Sequence, residues 1–570
     1  MVRVGGLFQA VRLRMLRTYR AMKLHLRLSL SLLLFASMAS ACSDPSDSSA
    51  GSADGWDADG SNGETQSEGT GEGDGDGDGG DGDGEPPCDP PVFVDGDLEV
   101  LVRERLGVDA ATSLNPQTMA QLDELAIYGI GLVSLEGLQC AAGLEILEFE
   151  GSTVDSLRPI AGLTKLRVLG ILDADVRAPD FTLPLAELPA LEELGLNRVQ
   201  IDAGVVDALS KVASLRRLYL HEPTLNGVDS LAPLDQITEL YMGGMGNEGA
   251  TLVRELTQLE ELGLSYGSLS ELGPLAGLTS LRRLVLGNNA IEDLGPVASL
   301  TQLEDLHVAD NPLRSIESLA STTKLKRLWL GYTQVDDLSP LANHPSVELL
   351  DVSSTSVTTL VALPQLQSLA AGYGPLTDIS ALAQCPQLSD LGLEETPVSD
   401  LSALAELSEL TVLSAWGSQV SDLTPLAGKS SLRELTLADT PLSDISVVPG
   451  LTGLEYLDIS GTAVSVLPAG ASVRRLQAGN TQISDLTPLS TWPTPDAWYL
   501  SNNDITDLGP LLDFGWEGAE CAYISISGNP LAEALAENQA IVTQLCEAAS
   551  LVISSDKNYF SCRSVGCEDA

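Results

Sequence analysis

A chain of 570 residues has room for three or four domains unless an internal repeat makes it one long array. Its 30 basic and 80 acidic residues give a formal net charge of −50, which argues against nucleic acid as a partner and against anionic lipid headgroups as a partner of the folded part. Hydrophobic residues make up 44% and aromatics only 4%, so the core must be aliphatic, mainly leucine. The charge falls in three zones. Residues 1–42 carry seven Lys or Arg and no acid, residues 43–90 carry fifteen acids and no base, and the remainder carries 23 bases and 65 acids.

The first zone reads as an address. Residues 22–42, MKLHLRLSLSLLLFASMASAC, start with Lys23 and Arg27, continue through a short apolar stretch from Leu28 to Phe35, and end in small residues, the layout of a secretory signal over 1–41. The apolar stretch is shorter than the roughly 20 residues of a membrane span. Residues 1–21 are either a long basic extension or untranslated sequence ahead of a true start at Met22. Ala39, Ser40 and Ala41 directly before Cys42 resemble the lipobox of bacterial lipoproteins, with Ala39 where that family usually has leucine. The resemblance implies cleavage before Cys42, diacylglycerol on its sulfur and acylation of its new amine. More than one acyl chain gives stable membrane anchoring. Ser43 after the cysteine points, by the same analogy, to the bacterial outer membrane. The alternative is a secreted protein cut at Ala41.

Residues 42–91 form the lipidated Cys42 and an acidic linker. Gly, Asp, Ser and Glu dominate it and Trp56 is its only aromatic, so it cannot bury enough apolar area to offset its ordering entropy. A random-coil span of roughly 35–40 Å, lengthened by charge repulsion, suits a tether. The Gly-Asp run has neither the aliphatic spacing of calcium-binding repeats nor an EF-hand loop.

Over 92–121, Phe93, Leu98, Leu101, Val102 and Leu106 have helical spacing and predict an N-terminal helical cap, with Asp97 as its capping residue. From 122 to 530 the chain is periodic. Leu281-Arg-Arg-Leu284-Val-Leu286 recurs as Leu303-Glu-Asp-Leu306-His-Val308 and Leu325-Lys-Arg-Leu328-Trp-Leu330. The middle apolar residue marks nineteen units from Leu125 to Ile524, and thirteen of the eighteen gaps are 22 residues. After each strand comes a second signature, as in Ile291-Glu-Asp293-Leu294-Gly-Pro296-Val297 and Val335-Asp-Asp337-Leu338-Ser-Pro340-Leu341. Its Asp accepts from the next free N–H groups, and proline is tolerated in a first turn. Where the unit leaves the strand, Asn289, Asn311, Asn503 and the nearby Asn480 alternate with Thr333, Thr355, Thr396, Thr440 and Thr462, a mixed ladder of backbone-pairing side chains.

One such unit cannot bury its apolar side alone, so the units must stack. The expected fold is an α/β solenoid, a horseshoe or arc of about nineteen units with a parallel sheet on the concave face, 3₁₀ or extended convex returns and helical caps. Residues 531–570 are expected to form a C-terminal cap and Cys-containing tail, with Leu535, Ile541, Val542 and Leu545 as the apolar side of a helix.

The 22-residue unit with its trailing I-x-D-L-x-P-L resembles the internalin-like class of bacterial leucine-rich repeats, over roughly residues 93–535. The resemblance implies protein binding through the concave face. That family's cell-wall sorting signal is not found here; the lipid anchor takes its place.

Eight cysteines, one of them lipidated, leave seven. Cys521 with Cys546 and Cys562 with Cys567 are the expected disulfides, Cys88 with Cys140 is another, and Cys385 sits alone on a returning segment. No paired CxxC occurs and there are four His, so no metal or cofactor is expected. No nucleophile, zinc-protease, phosphate-loop or dinucleotide motif appears.

The outward strand positions are therefore the candidate site: Arg217, Tyr219, Tyr241, Arg283, His307, Arg327, Trp329, Asp351, Trp416, Tyr456, Asp458 and Arg475. Tyr, Trp and Arg on a rigid surface suit a protein interface. The expectation is a non-enzymatic, membrane-tethered module for an unknown protein ligand. The alternatives are a structural or shielding envelope lipoprotein and a glycan- or peptidoglycan-associated binder. Trp329 and Trp416 stand four repeats apart, which argues against one compact sugar site.

Overall fold

The computed structural model describes residues 88, 90–151, 154, 156–172, 182–514, 516, 522–531, 535–548, 551–554 and 562–563. The signal, Cys42, the acidic linker, Cys521, Cys567 and the side chain of Cys562 lie outside the described residues.

The described residues up to Leu125, with Leu135–Leu144, make one compact unit. Its helix Gly96–Leu106 is capped by Asp95, not by Asp97. Asp95 has the extended backbone that a cap needs, and its carboxylate accepts from the N–H groups of Asp97 at 3.0 Å and Leu98 at 3.3 Å. Asp97 instead lies in the first turn, where its charge complements the helix dipole. The helix ends on Gly107 at φ 66°, a left-handed residue that glycine adopts without a Cβ penalty. Leu98 and Val102 are fully buried. Phe93 covers Gly137, where an added Cβ would lie 2.5 Å from the ring. The Cys88–Cys140 disulfide joins the start of this unit to the 3₁₀ turn Leu138–Cys140.

Ala126–Ser134 and the described residues from Glu145 on form the second unit, a stack of coils. Each coil contributes a strand of three to five residues, from Ile146–Glu150 through Arg283–Val285 to Ala522–Ser525. Successive strands pair in parallel, and their register sets the repeating residues side by side from Leu147 and Leu169 through Leu284, Leu306 and Leu328 to Trp498 and Ile524. Leu284, Leu306 and Leu328 are 0% exposed, so the repeat faces inward and forms one continuous aliphatic core.

The returns are mostly 3₁₀ turns, such as Gly295–Ser299, Ser339–Leu341 and Thr487–Thr491. In each the preceding Asp caps a backbone N–H: Asp293 that of Gly295 at 2.7 Å, Asp337 that of Ser339 at 2.7 Å and Asp485 that of Thr487 at 2.8 Å. Three returns differ from this expectation by forming α-helix, at Thr182–Ala186, Ala203–Ser210 and Asn247–Val253. The first two fall where the repeat spacing widens to 25 and 24 residues, which gives room for a wider turn.

Asn and Thr build the ladder in different ways. Asn311 accepts from Ile291 N–H of the preceding coil at 2.9 Å and donates to Leu286 O of that coil and Val308 O of its own, both at 3.0 Å. Thr333 donates only to its own Leu330 O, at 2.7 Å. Near residue 480 the ladder position is Thr481, which donates to Ala478 O; Asn480 holds the preceding turn at φ 56°.

At the far end the helix Leu535–Ala548 buries Ile541, Val542 and Leu545. Its Asn538 is fully buried, accepts from Leu508 N–H at 3.0 Å and donates to Thr506 O at 2.7 Å. A further strand, Leu551–Ser554, pairs in parallel with Ala522–Ser525 and sets Ile553 beside Ile524. It lacks the leucine signature and extends the sheet past the last expected strand. Cys546 is disulfide-bonded, and Cys385 is free and buried.

Candidate functional site

The inward leucines dictate that their neighbours on each strand face solvent. Parallel register then lines those neighbours into columns about 4.8 Å apart. Eleven of the twelve candidate residues lie on strands in these columns, and Trp416 follows the strand Val412–Ser414 by two residues.

In the first column three arginines each lean on an acid of the preceding strand, while the fourth, Arg475, stands beside Tyr456. Arg217 meets Glu193 at 2.7 Å, Arg283 meets Glu261 at 3.8 Å, and Arg327 pairs with Asp305. Glu193 and Asp305 are buried, so these pairs are partly desolvated. Glu239 sits in the same column, where burial first and the charge of Glu261 second push its carboxyl up to about 6.

The second column carries rings. Tyr219 and Tyr241 stack at 5.2 Å with planes 12° apart, and Tyr241 donates to Glu261 at 2.7 Å. Gly263 makes room for this: a Cβ there would lie 2.3 Å from the Tyr241 ring. Tyr219 is only 8% exposed, so the pair is packed into the sheet surface. His307 and Trp329 are in contact at 5.8 Å. Burial holds the His307 imidazole below its ordinary range and therefore neutral at pH 7. Further along, Arg475 lies 5.4 Å over the Tyr456 ring, and Asp458 accepts from Ser460 N–H at 2.9 Å.

Trp416 is not grouped with Trp329. It meets Tyr373 edge to face at 5.8 Å. The backbone places these two residues on coils either side of the one that carries Glu394, since Tyr373 N–H donates to Glu394 O and Glu395 N–H donates to Trp416 O. The rings therefore meet across that coil. Glu394 is 5% exposed, and burial pushes its carboxyl above the usual range, with the charge of Asp351 adding to it.

Tyr373, with Tyr266 and Tyr332, is a surface residue that the strand pattern overlooks. All three stand four residues after the repeating leucine, at φ 61°, 62° and 57°, and keep 48%, 47% and 63% of their surface exposed. The signal is in the sequence as a tyrosine at a fixed offset from Leu262, Leu328 and Leu369, on the turn that leaves the strand.

Among the described residues no group of three or more His, Cys, Asp or Glu is placed to hold a metal ion, and no helix is long and apolar enough to cross a membrane.

A family model for leucine-rich repeats in two copies matches residues 301–343. Among solved structures, a leucine-rich-repeat protein of Leptospira interrogans is 19% identical, with a TM-score of 0.51 over 65% of this chain and 91% of that one. The TLR13–ssRNA13 complex is 18% identical, with a TM-score of 0.59 over 76% of this chain and 74% of that one. The fold is a leucine-rich-repeat solenoid. An internalin of Listeria monocytogenes is also similar, at 25% identity over 65% of this chain and 96% of that one, with a TM-score of 0.43. No curated protein matches this leucine-rich-repeat chain by sequence.

Proposed function

We propose that this leucine-rich-repeat protein is a non-enzymatic recognition module, held at a bacterial cell envelope by lipid on Cys42, that binds a protein partner on the open face of its sheet. One observation carries the reading. The Tyr219–Tyr241 and His307–Trp329 pairs and the Arg475–Tyr456 contact lie at outward strand positions of a single sheet, and the Tyr373–Trp416 pair stands on the turns just past its strands. Such residues supply large contact area with little rotamer entropy to lose. The stack holds them rigidly, so little ordering cost opposes binding. A solved structure of similar fold contains RNA, but the acidic excess of this chain works against phosphate as a ligand here.

The test is affinity capture from envelope extracts and from neighbouring cells with the full chain and with a Tyr241→Ala, Trp329→Ala, Trp416→Ala triple variant. The reading expects a partner retained by the parent and lost, by at least tenfold, from the variant at equal thermal stability. Equal retention by both removes the sheet face from the proposal.

A further inference from the structure

The charges on the sheet are balanced over one half and unbalanced over the other. From Glu193 to Arg327 acids and arginines pair strand to strand. From Leu349–Asp351 to Tyr456–Asp458 no strand carries a basic residue. Asp351 accepts only from Ser353, at 2.9 Å, and among the described residues neither Asp351 nor Glu394 has an ion-pair partner. Glu394 is 5% exposed and its carboxylate draws on its own N–H and the Ser414 hydroxyl, yet its Oε1 has no hydrogen-bond partner. A buried carboxylate is ordinarily paired or hydrogen-bonded, because leaving it bare is costly.

The surroundings are shaped for something. Glu394 lies back over Gly372 and Gly392, where an added Cβ would fall 2.7 Å and 2.9 Å from its Oε2. The strand between Asp351 and the Glu394 coil offers only Ala370 at the outward position in register. Asp351 and Glu394 stand two strands or about 10 Å apart along the sheet, and the charge of Asp351 acts on Glu394; the Asp351 carboxylate leans over Gly331, and the Tyr373 and Trp416 rings meet across the coil of Glu394.

We propose that Glu394, between the coils of the Tyr373–Trp416 ring pair, and Asp351, two strands away, anchor a single cationic side chain, Lys or Arg, of the protein partner. The inference rests on the reading of the sheet face as a protein-binding surface and adds the chemistry of its anchor. Carboxylates supply the counter-charge and ring faces supply cation–π contact. A guanidinium or ammonium on an aliphatic stem fits both better than a hard metal ion, which takes six or more oxygens. Tyr373 is half-exposed and turns on two side-chain bonds, so it can swing aside to admit the stem.

The probes are a capped Gly-Ser-Arg-Ser-Gly peptide and its citrulline counterpart, titrated into the full chain by calorimetry. The arginine peptide is expected to bind at one saturable site and the neutral one at least tenfold more weakly. Glu394→Gln and Asp351→Asn each lower affinity at least tenfold. Glu394→Gln keeps the shape and removes a buried charge that has no ion-pair partner, so its melting temperature holds or rises. Glu271→Gln removes the same charge from an exposed return segment and leaves affinity unchanged. Parent-like binding by Glu394→Gln, an equal loss in Glu271→Gln, or no binding by the parent overturns the anchor. Partner capture that still depends on Tyr241, Trp329 and Trp416 in that event leaves the sheet-face reading standing.

Discussion

At the residue scale the ladder shows why Asn and Thr are not equivalent at one structural position. Asn311 ties two coils together, because its amide both accepts from Ile291 N–H and donates to Leu286 O across the coil boundary. Thr333 closes only its own turn onto Leu330 O. Asn311→Ala leaves a buried N–H at Ile291 and a buried carbonyl at Val308 without these partners, a loss of about 2–3 kcal/mol. Thr333→Ala removes one bond to a carbonyl and is expected to cost about 1 kcal/mol. Urea unfolding of the two variants beside the parent checks the order. A Thr333→Ala loss equal to that of Asn311→Ala would show that the cross-coil bonds contribute nothing.

At the element scale the returning segments carry the pH dependence. Bonds from Ser339, Ser380, Thr424 and Thr487 hold the carboxyls of Asp337, Asp378, Asp422 and Asp485 below the usual Asp range. A carboxyl lowered on folding binds its proton more weakly in the native state. Its contribution is therefore complete above the unfolded pKa, near 4, and is lost as pH falls through the lower folded value. The melting temperature is expected to drop below about pH 4, and an Asp337→Asn, Asp422→Asn, Asp485→Asn variant should show a flatter acid limb. Parallel acid limbs would place the acid sensitivity elsewhere. These turns were legible because Asp and Pro recur at fixed offsets after each strand. The α-helical return Asn247–Val253 was not, since it sits in an ordinary 22-residue spacing without that signature. The two 19-residue coils, from Leu350 to Leu369 and from Leu457 to Leu476, have no 3₁₀ turn among their described residues, so the three missing residues come out of the return while the strand register is kept.

At the scale of the whole molecule, periodic leucines made the stack legible because a strand's inward side follows from spacing alone. The candidate site was legible only as columns. That Trp416 stands far from Trp329 follows from the period, but that it meets Tyr373 across the coil of Glu394 is a matter of side-chain packing that no period encodes. Charge is the other whole-molecule property, and it bears on the proposed anchor. Residues 43–90 carry fifteen acids and no base, and the rest of the chain from 91 carries 65 acids against 23 bases, so both are repelled by anionic lipid surfaces. On the proposed lipid anchor, attachment rests on acyl groups at Cys42 and gains nothing from electrostatics. Two results are expected in fractionated cells of a bacterial host. The parent stays with the membrane fraction through a wash at about 1 M salt, where surface electrostatics are screened within about 3 Å. Cys42→Ser, once cut at Ala41, moves to the soluble fraction at every salt concentration, since repulsion leaves the remaining chain no residual hold. Release of the parent by salt would point to an ionic attachment, and membrane retention of Cys42→Ser would point to a holding site elsewhere in the chain; either result removes the acyl anchor from the proposal.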